Sequence, residues 1–309
     1  MNEFSHQPVL LDEVLEGLSI KPRGTYIDGT FGRGGHASRI VEKLDDQGRL
    51  LVMDKDPQAI AAARQLFAAD ERVIIAKGSF TMLKQQATEQ GWLGKVDGVL
   101  LDLGISSPQV DDAARGFSFR RDGALDMRMD PDSGRSAAQW IAQVSERDLA
   151  AVLKEYGEER FAKRIARAIV TAREDQPITT TKQLASIIAK AHPRWEIGKD
   201  PATQSFQAIR IFINNELDEL TTCLGQVLDV LKSGGRLVII SFHSLEDRIV
   251  KRFIRDQSRG DRYPAGVPVT QAQLNPRLKA IGKAIKPGDA ELERNPRARS
   301  SVLRIAEKI

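Results

Sequence analysis

The chain has one cysteine, Cys223, in 309 residues. A single thiol excludes an internal disulfide and a thiolate zinc cluster, and it suits a reducing cytosol. Proline is sparse at 13 residues, and a composition 41% hydrophobic and 28% charged belongs to a chain that buries a core, neither disordered nor fibrous. No apolar run approaches the ~18–20 residues that span a bilayer. The opening residues, Met1-Asn2-Glu3-Phe4-Ser5-His6, lack the basic-then-apolar order of a signal peptide. His6, His36, His192 and His243 show no metal-ligand spacing. There is no G-x-S-x-G nucleophile elbow and no G-x-x-x-x-G-K-[ST] phosphate loop. These absences predict a soluble, cytoplasmic globular protein without a catalytic metal, built as two domains or as one large domain with an insertion.

Charge is unevenly placed. Lys232 to Ile309 carries 17 Lys and Arg against 8 Asp and Glu, a net +9, whereas Met1 to Leu231 is −5. A basic quarter on an acidic body points to a polyanionic partner on one face, against the plainer reading of an ordinary solvated surface.

Strand and helix signals alternate over the first hundred residues. Thr25-Tyr26-Ile27-Asp28, Leu50-Leu51-Val52-Met53-Asp54, Val73-Ile74-Ile75-Ala76 and Val96 to Asp102 read as four strands of a parallel sheet covered on both faces. Asp56-Pro57 reads as a helix cap with proline at the first helical position. From about Ser106 to Ser205 the strand signal fades into short helices, one with Phe161, Ile165, Ile169 and Ala172 on a stripe and one opened by a capping box at Thr180. A long helical stretch, Phe206 to Leu231, then closes at Gly234, followed by a fifth strand at Arg236–Ser241, a helix from about Leu245 and a closing strand at Ser301–Ile305. Residues 260–295 read as mostly loop.

The richest motif is Asp28-Gly29-Thr30-Phe31-Gly32-Arg33-Gly34-Gly35-His36, between the first strand and a helix over Ala37–Leu44. Its glycines permit close backbone approach to a ligand and φ values that a Cβ forbids, and the helix start offers free N–H groups. Asp54, closing the next strand, can accept hydrogen bonds from a ribose diol, so turn and acid form a nucleoside-cofactor site. Gly32 to Ala37 also fits G-x-G-x-x-A, which leaves a nicotinamide-dependent oxidoreductase open. Asp28 favours S-adenosylmethionine, because a carboxylate sits badly beside a pyrophosphate and well beside an amino group. Phe80, after the third strand, can pack on an adenine or simply on the core. Asp102 leaves the carboxyl end of the fourth strand, where reacting groups collect in open α/β sheets.

Together with Asp102-Leu103-Gly104-Ile105-Ser106-Ser107-Pro108-Gln109, Gly116-Phe117-Ser118-Phe119, Leu125-Asp126-Met127-Arg128-Met129, Tyr156-Gly157-Glu158-Glu159, Ser241 to Arg248 and Asn295 to Ser300, this motif resembles the bacterial MraW (RsmH) family. The matches run from Val9 to Arg304 in the family's order. The resemblance implies an α/β, class I (Rossmann-like) S-adenosylmethionine-dependent methyltransferase, with residues 1–108 and 206–309 as the two parts of the catalytic domain and 109–205 as an inserted all-helical substrate-recognition domain. It implies methylation of N4 of a cytidine in 16S rRNA at the decoding centre of the small ribosomal subunit, with cofactor contacts from Gly34, Gly35, His36, Asp54, Phe80, Asp102 and Gln109. His36 and Gln109 rest mainly on the resemblance.

Cytosine N4 is a poor nucleophile, so an acceptor for its proton is expected, and Asp102 is placed for that task or for holding the cofactor. The amino-methyltransferase loop of Asp/Asn-Pro-Pro-aromatic type is absent. His243 leaves the fifth strand toward the same rim, as a substrate contact or proton acceptor or, more simply, as a satisfied structural histidine. For RNA the sequence offers Phe117, Phe119, Arg120 and Arg121 in one loop and Arg160, Lys163, Arg164 and Arg167 along a helix. It also offers Arg248, Lys251, Arg252, Arg255, Arg259 and Arg262, and then Arg294, Arg297 and Arg299. A non-catalytic RNA-binding assembly factor shares these features, and both a monomer and a homodimer are compatible with them.

Overall fold

The computed structural model describes residues 8–193, 200–261, 263, 270 and 273–309; His6, Arg262 and the N-terminal reading lie outside the described residues. Through the first part of the chain run α1 (Leu11–Leu18), β1 (Thr25–Asp28), α2 (Gly35–Val41), β2 (Arg49–Asp54), α3 (Pro57–Leu66), β3 (Val73–Lys77), α4 (Leu83–Glu89) and β4 (Val96–Asp102). Helices follow: α5 (Ser107–Asp111), α6 (Ala137–Gln143), α7 (Glu146–Gly157), α8 (Ala162–Asp175), α9 (Thr181–Ala191) and α10 (Thr203–Ile213). The chain closes with α11 (Glu216–Val230), β5 (Leu231–Ser241), α12 (Ser244–Arg259), β6 (Leu278–Ile285), α13 (Asp289–Arg294) and β7 (Val302–Lys308). Two units result, one of Met1–Gly104 with Leu217–Ile309, the other of Ile105–Glu216.

In the first unit the strands form one seven-stranded sheet in the order β3-β2-β1-β4-β5-β7-β6. Strands β1 to β5 are mutually parallel, and β7 runs antiparallel to both β5 and β6. The parallel strands are apolar on both faces because both faces are covered. Ile27, Leu51, Met53, Val99, Leu101, Leu237 and Ile239 pack with α4, α11 and α12. The alternate residues Tyr26, Leu50, Val52, Leu100, Val238 and Ile240 pack with α1, α2 and α3. This is the parallel α/β sheet covered on both faces that the strand pattern predicts, extended by an antiparallel pair at one edge. Its strand order reverses between β1 and β4, and ligands of such sheets bind outside the carboxyl ends at that point. Asp28, Asp54 and Asp102 close β1, β2 and β4 there.

The second unit is helical among its described residues, with one isolated bridge between Ala124 and Thr180. Its core includes Trp140, Leu149, Leu153, Ile165, Ile169, Leu184 and Ile188. The Thr180 capping box forms as the spacing predicts, with Gln183 as its reciprocal partner. Phe206, Ala208 and Ile209 of α10 are buried in this same core, so the unit continues beyond residue 205.

Three local readings change. The stretch from Phe206 to Leu231 is two helices, broken where Asn215 takes a left-handed conformation (φ 51°). Gly234 does have a positive φ of 74°, but it lies within an irregularity of β5, where Leu231 pairs with Val96 and Arg236 with Gly98. Residues 278–285 and 289–294, expected as loop, are β6 and α13.

Candidate active site

The glycine turn is held from both sides. Gly29 N–H donates to Leu100 O (3.0 Å) and Phe31 N–H to Met53 O (2.9 Å), fastening the turn to β4 and β2. Gly32 (φ 57°) and Gly34 (φ 79°) take the left-handed backbone that favours glycine. A Cβ on Gly34 would lie 2.7 Å from both Phe31 and Leu66, and one on Gly35 would lie 2.5 Å from Pro8. The missing side chains therefore make room for the protein's own packing. The helix that follows, α2, has only seven residues, so the turn itself, rather than a long helix dipole, shapes this end of the site.

Asp54 has a second role beyond the one its spacing suggests. Its Oδ2 accepts from Gly32 N–H and its Oδ1 from Asp56 N–H, both at 2.8 Å. A carboxylate has about four acceptor positions, so a ribose diol could still be taken by the remaining two. Burial pushes the Asp54 carboxyl above its ordinary range, opposed by these two N–H groups.

A second acid cluster lies at the ends of β1 and β4. Asp28 is 1% exposed, and its Oδ1 accepts from Thr30 N–H at 3.0 Å. Thr30 Oγ1 in turn accepts from Asp102 N–H at 2.6 Å, so one threonine joins the two strand ends. Burial, with Asp54 adding repulsion, pushes the Asp28 carboxyl up to about 7. Asp102 is raised well above the usual carboxylate range by burial, then by the charges of Asp28 and Glu246. Its Oδ2 lies 3.5 Å from His36 Nδ1, while its Oδ1 is buried and without a hydrogen-bond partner among the described residues. Buried carboxylates that resist ionising suit a ligand that brings positive charge.

His36 is 6% exposed and lies 3.0 Å through Nε2 from Val9 O. Burial holds its imidazole down to about 4, hence neutral near pH 7. Phe80 is partly exposed on the 3-10 turn after β3, its Cβ 3.2 Å from where a Cβ of Gly29 would be. His243 is the N-cap of α12: its Nδ1 accepts from Glu246 N–H at 3.4 Å, and Glu246 Oε2 accepts from Phe242 N–H at 2.8 Å. The Nε2 of His243 is buried and without a hydrogen-bond partner among the described residues. Gln109 belongs to the helical unit, where its side chain accepts from Ser106 N–H at 2.8 Å in a capping box.

A sequence model of the MraW methylase family matches residues 3–309. The chain belongs to that family. Among curated relatives, the ribosomal RNA small subunit methyltransferase H of Coxiella burnetii (strain RSA 331 / Henzerling II) is 56% identical over 305 residues, covering 99% of each chain. Among solved structures, an rRNA methylase from Streptococcus thermophilus is 10% identical over 98% of each chain, with a TM-score of 0.42.

The loop that the MraW motifs place after β4 divides between core and surface. Phe117 is 8% exposed and sits in the core of the helical unit, with the Arg115 guanidinium 5.8 Å from its ring centre. Phe119 meets Phe206 edge-on with centroids 4.7 Å apart. Both aromatic rings expected for RNA are thus engaged in packing. Arg120 and Arg121 are exposed, as are Arg164 and Arg167 on α8, the last donating to Glu146 Oε1 at 3.3 Å. In the sheet unit Arg248, Arg252, Arg297 and Arg299 are exposed.

Two residues of this MraW-family site escape sequence reading. In the sequence Thr30 is only one more residue of the glycine motif, yet it links Asp28 to Asp102. Glu219, on α11, accepts from both Lys55 and Ser79, the neighbours of Asp54 and Phe80. No local pattern marks a contact that spans 164 positions.

Proposed function

We propose that this MraW-family protein methylates small-subunit rRNA, using S-adenosylmethionine to modify the exocyclic N4 of a cytidine in 16S rRNA at the decoding centre. The relative named above is an rRNA small subunit methyltransferase by name, and the choice of N4 rests on the motif resemblance. One observation carries the reading: three carboxylates, buried Asp28 and part-buried Asp54 and Asp102, line up at the carboxyl ends of β1, β2 and β4, and Asp102 keeps a buried acceptor oxygen without a partner among the described residues.

The donor set fits the cofactor. Asp54 offers acceptors to a ribose diol, Phe80 a partly exposed ring to a base, and Asp28 a carboxylate to an ammonium group. When bound, S-adenosylmethionine supplies a methyl group on a positively charged sulfur. The residues contribute alignment, worth several kcal/mol in a displacement of this kind, and a place for a proton. The N4 lone pair of cytosine is delocalised into the ring, and a hydrogen bond accepted from N4–H turns it out of plane. Asp102 supplies that acceptor and takes up the proton that N4 loses. The Asp28 and Glu246 charges that hinder Asp102 from ionising also make it a stronger base once ionised.

The test uses small ribosomal subunits lacking the modification, incubated with the pure protein and methyl-labelled S-adenosylmethionine, with the modified nucleoside identified by mass spectrometry. Label recovered as N4-methylcytidine is the expected result. Label on another nucleoside overturns the target atom and keeps rRNA methylation; no label on subunits, assembly intermediates or naked RNA overturns the enzyme reading in favour of an RNA-binding factor.

A further inference from the structure

His36 stands among the expected cofactor contacts, but its two ring nitrogens face the protein. Nε2 lies 3.0 Å from Val9 O, and a carbonyl oxygen only accepts, so the ring proton is on Nε2. Nδ1 of the neutral ring is therefore a lone pair, and 3.5 Å from it lies Asp102 Oδ2. A lone pair facing an ionised carboxylate is repulsive; facing a carboxylic acid it is a hydrogen-bond acceptor. Small rotations of the carboxyl group close such a distance, and catalytic hydrogen bonds are often long in the free protein.

We propose that His36 is a positioning residue that acts through Asp102, its Nδ1 lone pair being the built acceptor for the Asp102 carboxyl proton. This rests on the methyl-transfer reading above. Asp102 enters the reaction as a carboxylate, takes the proton released from N4, and the resulting neutral acid is stabilised by donating to Nδ1. The imidazole stays neutral throughout, so no charge is created on the buried ring. The Val9 carbonyl is the other half of the device, because it fixes the tautomer that leaves Nδ1 free to accept. Among the described residues, the other charges that act on Asp102 are those of Asp28 from β1 and Glu246 from α12, both of which favour the neutral acid too.

Two substitutions separate this role from packing. In His36→Gln the amide reaches the level of Nε2, keeping the donor to Val9 and losing the acceptor at Nδ1. In His36→Asn the amide oxygen sits at the level of Nδ1, keeping the acceptor and losing the donor. Histidine 15N NMR on the unliganded wild type should place the proton of His36 on Nε2. Infrared difference spectra of 13C-aspartate-labelled protein, with Asp102→Asn to assign the band, should show the Asp102 acid persisting above the ordinary carboxylate range. The midpoint of that acid band should move down by about one pH unit in His36→Gln and stay in place in His36→Asn, the effect expected for one lost hydrogen bond to the neutral form. Single-turnover methyl transfer should fall about tenfold in His36→Gln, with its acid limb moved to lower pH, and be largely rescued in His36→Asn. A proton on Nδ1, or equal behaviour of the two variants, overturns the proposal. If one variant does not fold, the tautomer and the wild-type acid band still decide it. Absence of methyl transfer by the wild type overturns the enzymatic reading instead, and the spectroscopic results remain separable from it.

Discussion

Glu219 Oε2 lies 2.8 Å from Lys55 Nζ. The same oxygen accepts from Ser79 Oγ at 2.9 Å, so one side chain of α11 ties the end of β2 to the turn after β3. Lys55 follows Asp54 and Ser79 precedes Phe80, the two residues proposed to hold the nucleoside. Glu219→Ala should therefore weaken S-adenosylmethionine binding without touching the ligand, by about 1–2 kcal/mol for a pair of hydrogen bonds to a charged group that is not fully buried. Glu219→Gln should lose less, since its amide oxygen can still accept from Ser79. Calorimetric titration of both variants checks this, and dissociation constants matching the wild type would confine the clamp to the fold.

Asp28 sets a pH dependence whose sign is defined. Its carboxyl is raised to about 7 in the folded protein, against an ordinary value near 3.8. Folding thus favours its protonated form, and its destabilising effect grows as pH rises from about 4 to 7 and is complete above that. Asp28→Asn keeps an acceptor for Thr30 N–H and removes the buried charge. It should raise the melting temperature at pH 8 and have little effect at pH 4. The same substitution should weaken binding of S-adenosylmethionine at pH 8. In the wild type, affinity should fall as pH drops below about 7, by up to tenfold per pH unit. A cofactor fragment lacking the amino acid moiety should bind with no such dependence; a matching pH profile for the fragment would remove Asp28 from the ammonium site.

Phe117 and Arg120 are three residues apart and should behave in opposite ways. Phe117 is buried in the core of the helical unit, and replacing a buried phenylalanine by alanine costs about 3–5 kcal/mol. Arg120 is exposed, and Arg120→Ala should leave stability within about 0.5 kcal/mol of the wild type. Urea unfolding followed by circular dichroism checks both. A small effect for Phe117→Ala would mean that its ring is not held by that core.

What the sequence revealed follows from how local each cause is. The central parallel strands are buried on both sides, so β1, β2 and β4 stand out as apolar runs, and β3, half-buried at the sheet's edge, still carries one. The Asp56 cap and the Thr180 capping box are contained within a few residues, and both form. The break at Asn214–Asn215 depends on distant partners: the Asn214 amide donates to Met127 O at 2.8 Å and its oxygen accepts from Met129 N–H at 2.7 Å. The helical spacing of Phe206 to Leu231 carries no trace of those bonds. Strand β6 was hidden for another reason. It is an edge strand on which Lys279, Ala280, Gly282, Lys283 and Ala284 are exposed, so the apolar alternation that marks a half-buried strand is missing. At the site, the acids were legible because each closes a strand, whereas the tautomer of His36 and the link through Thr30 depend on where backbone groups fall once the chain is folded.

The exposed arginines make a prediction about RNA that is independent of the chemistry. Each phosphate contact releases condensed counterions, so the logarithm of the binding constant falls with the logarithm of salt by about 0.7–0.9 per contact. Arg120 and Arg121 are exposed on the helical unit and Arg248 and Arg252 on the sheet unit. Replacing Arg120 and Arg121 with alanine should lower affinity for a 16S rRNA fragment and reduce the salt slope by about 1–2, with cofactor affinity unchanged. Replacing Arg248 and Arg252 should do the same if the basic face of α12 follows the backbone. Loss of affinity with an unaltered slope would mean that the arginines read bases or RNA shape, because only neutralised phosphates enter the slope. An unaltered affinity for one pair and not the other would assign the RNA track to a single unit, which charge counting along the sequence cannot do.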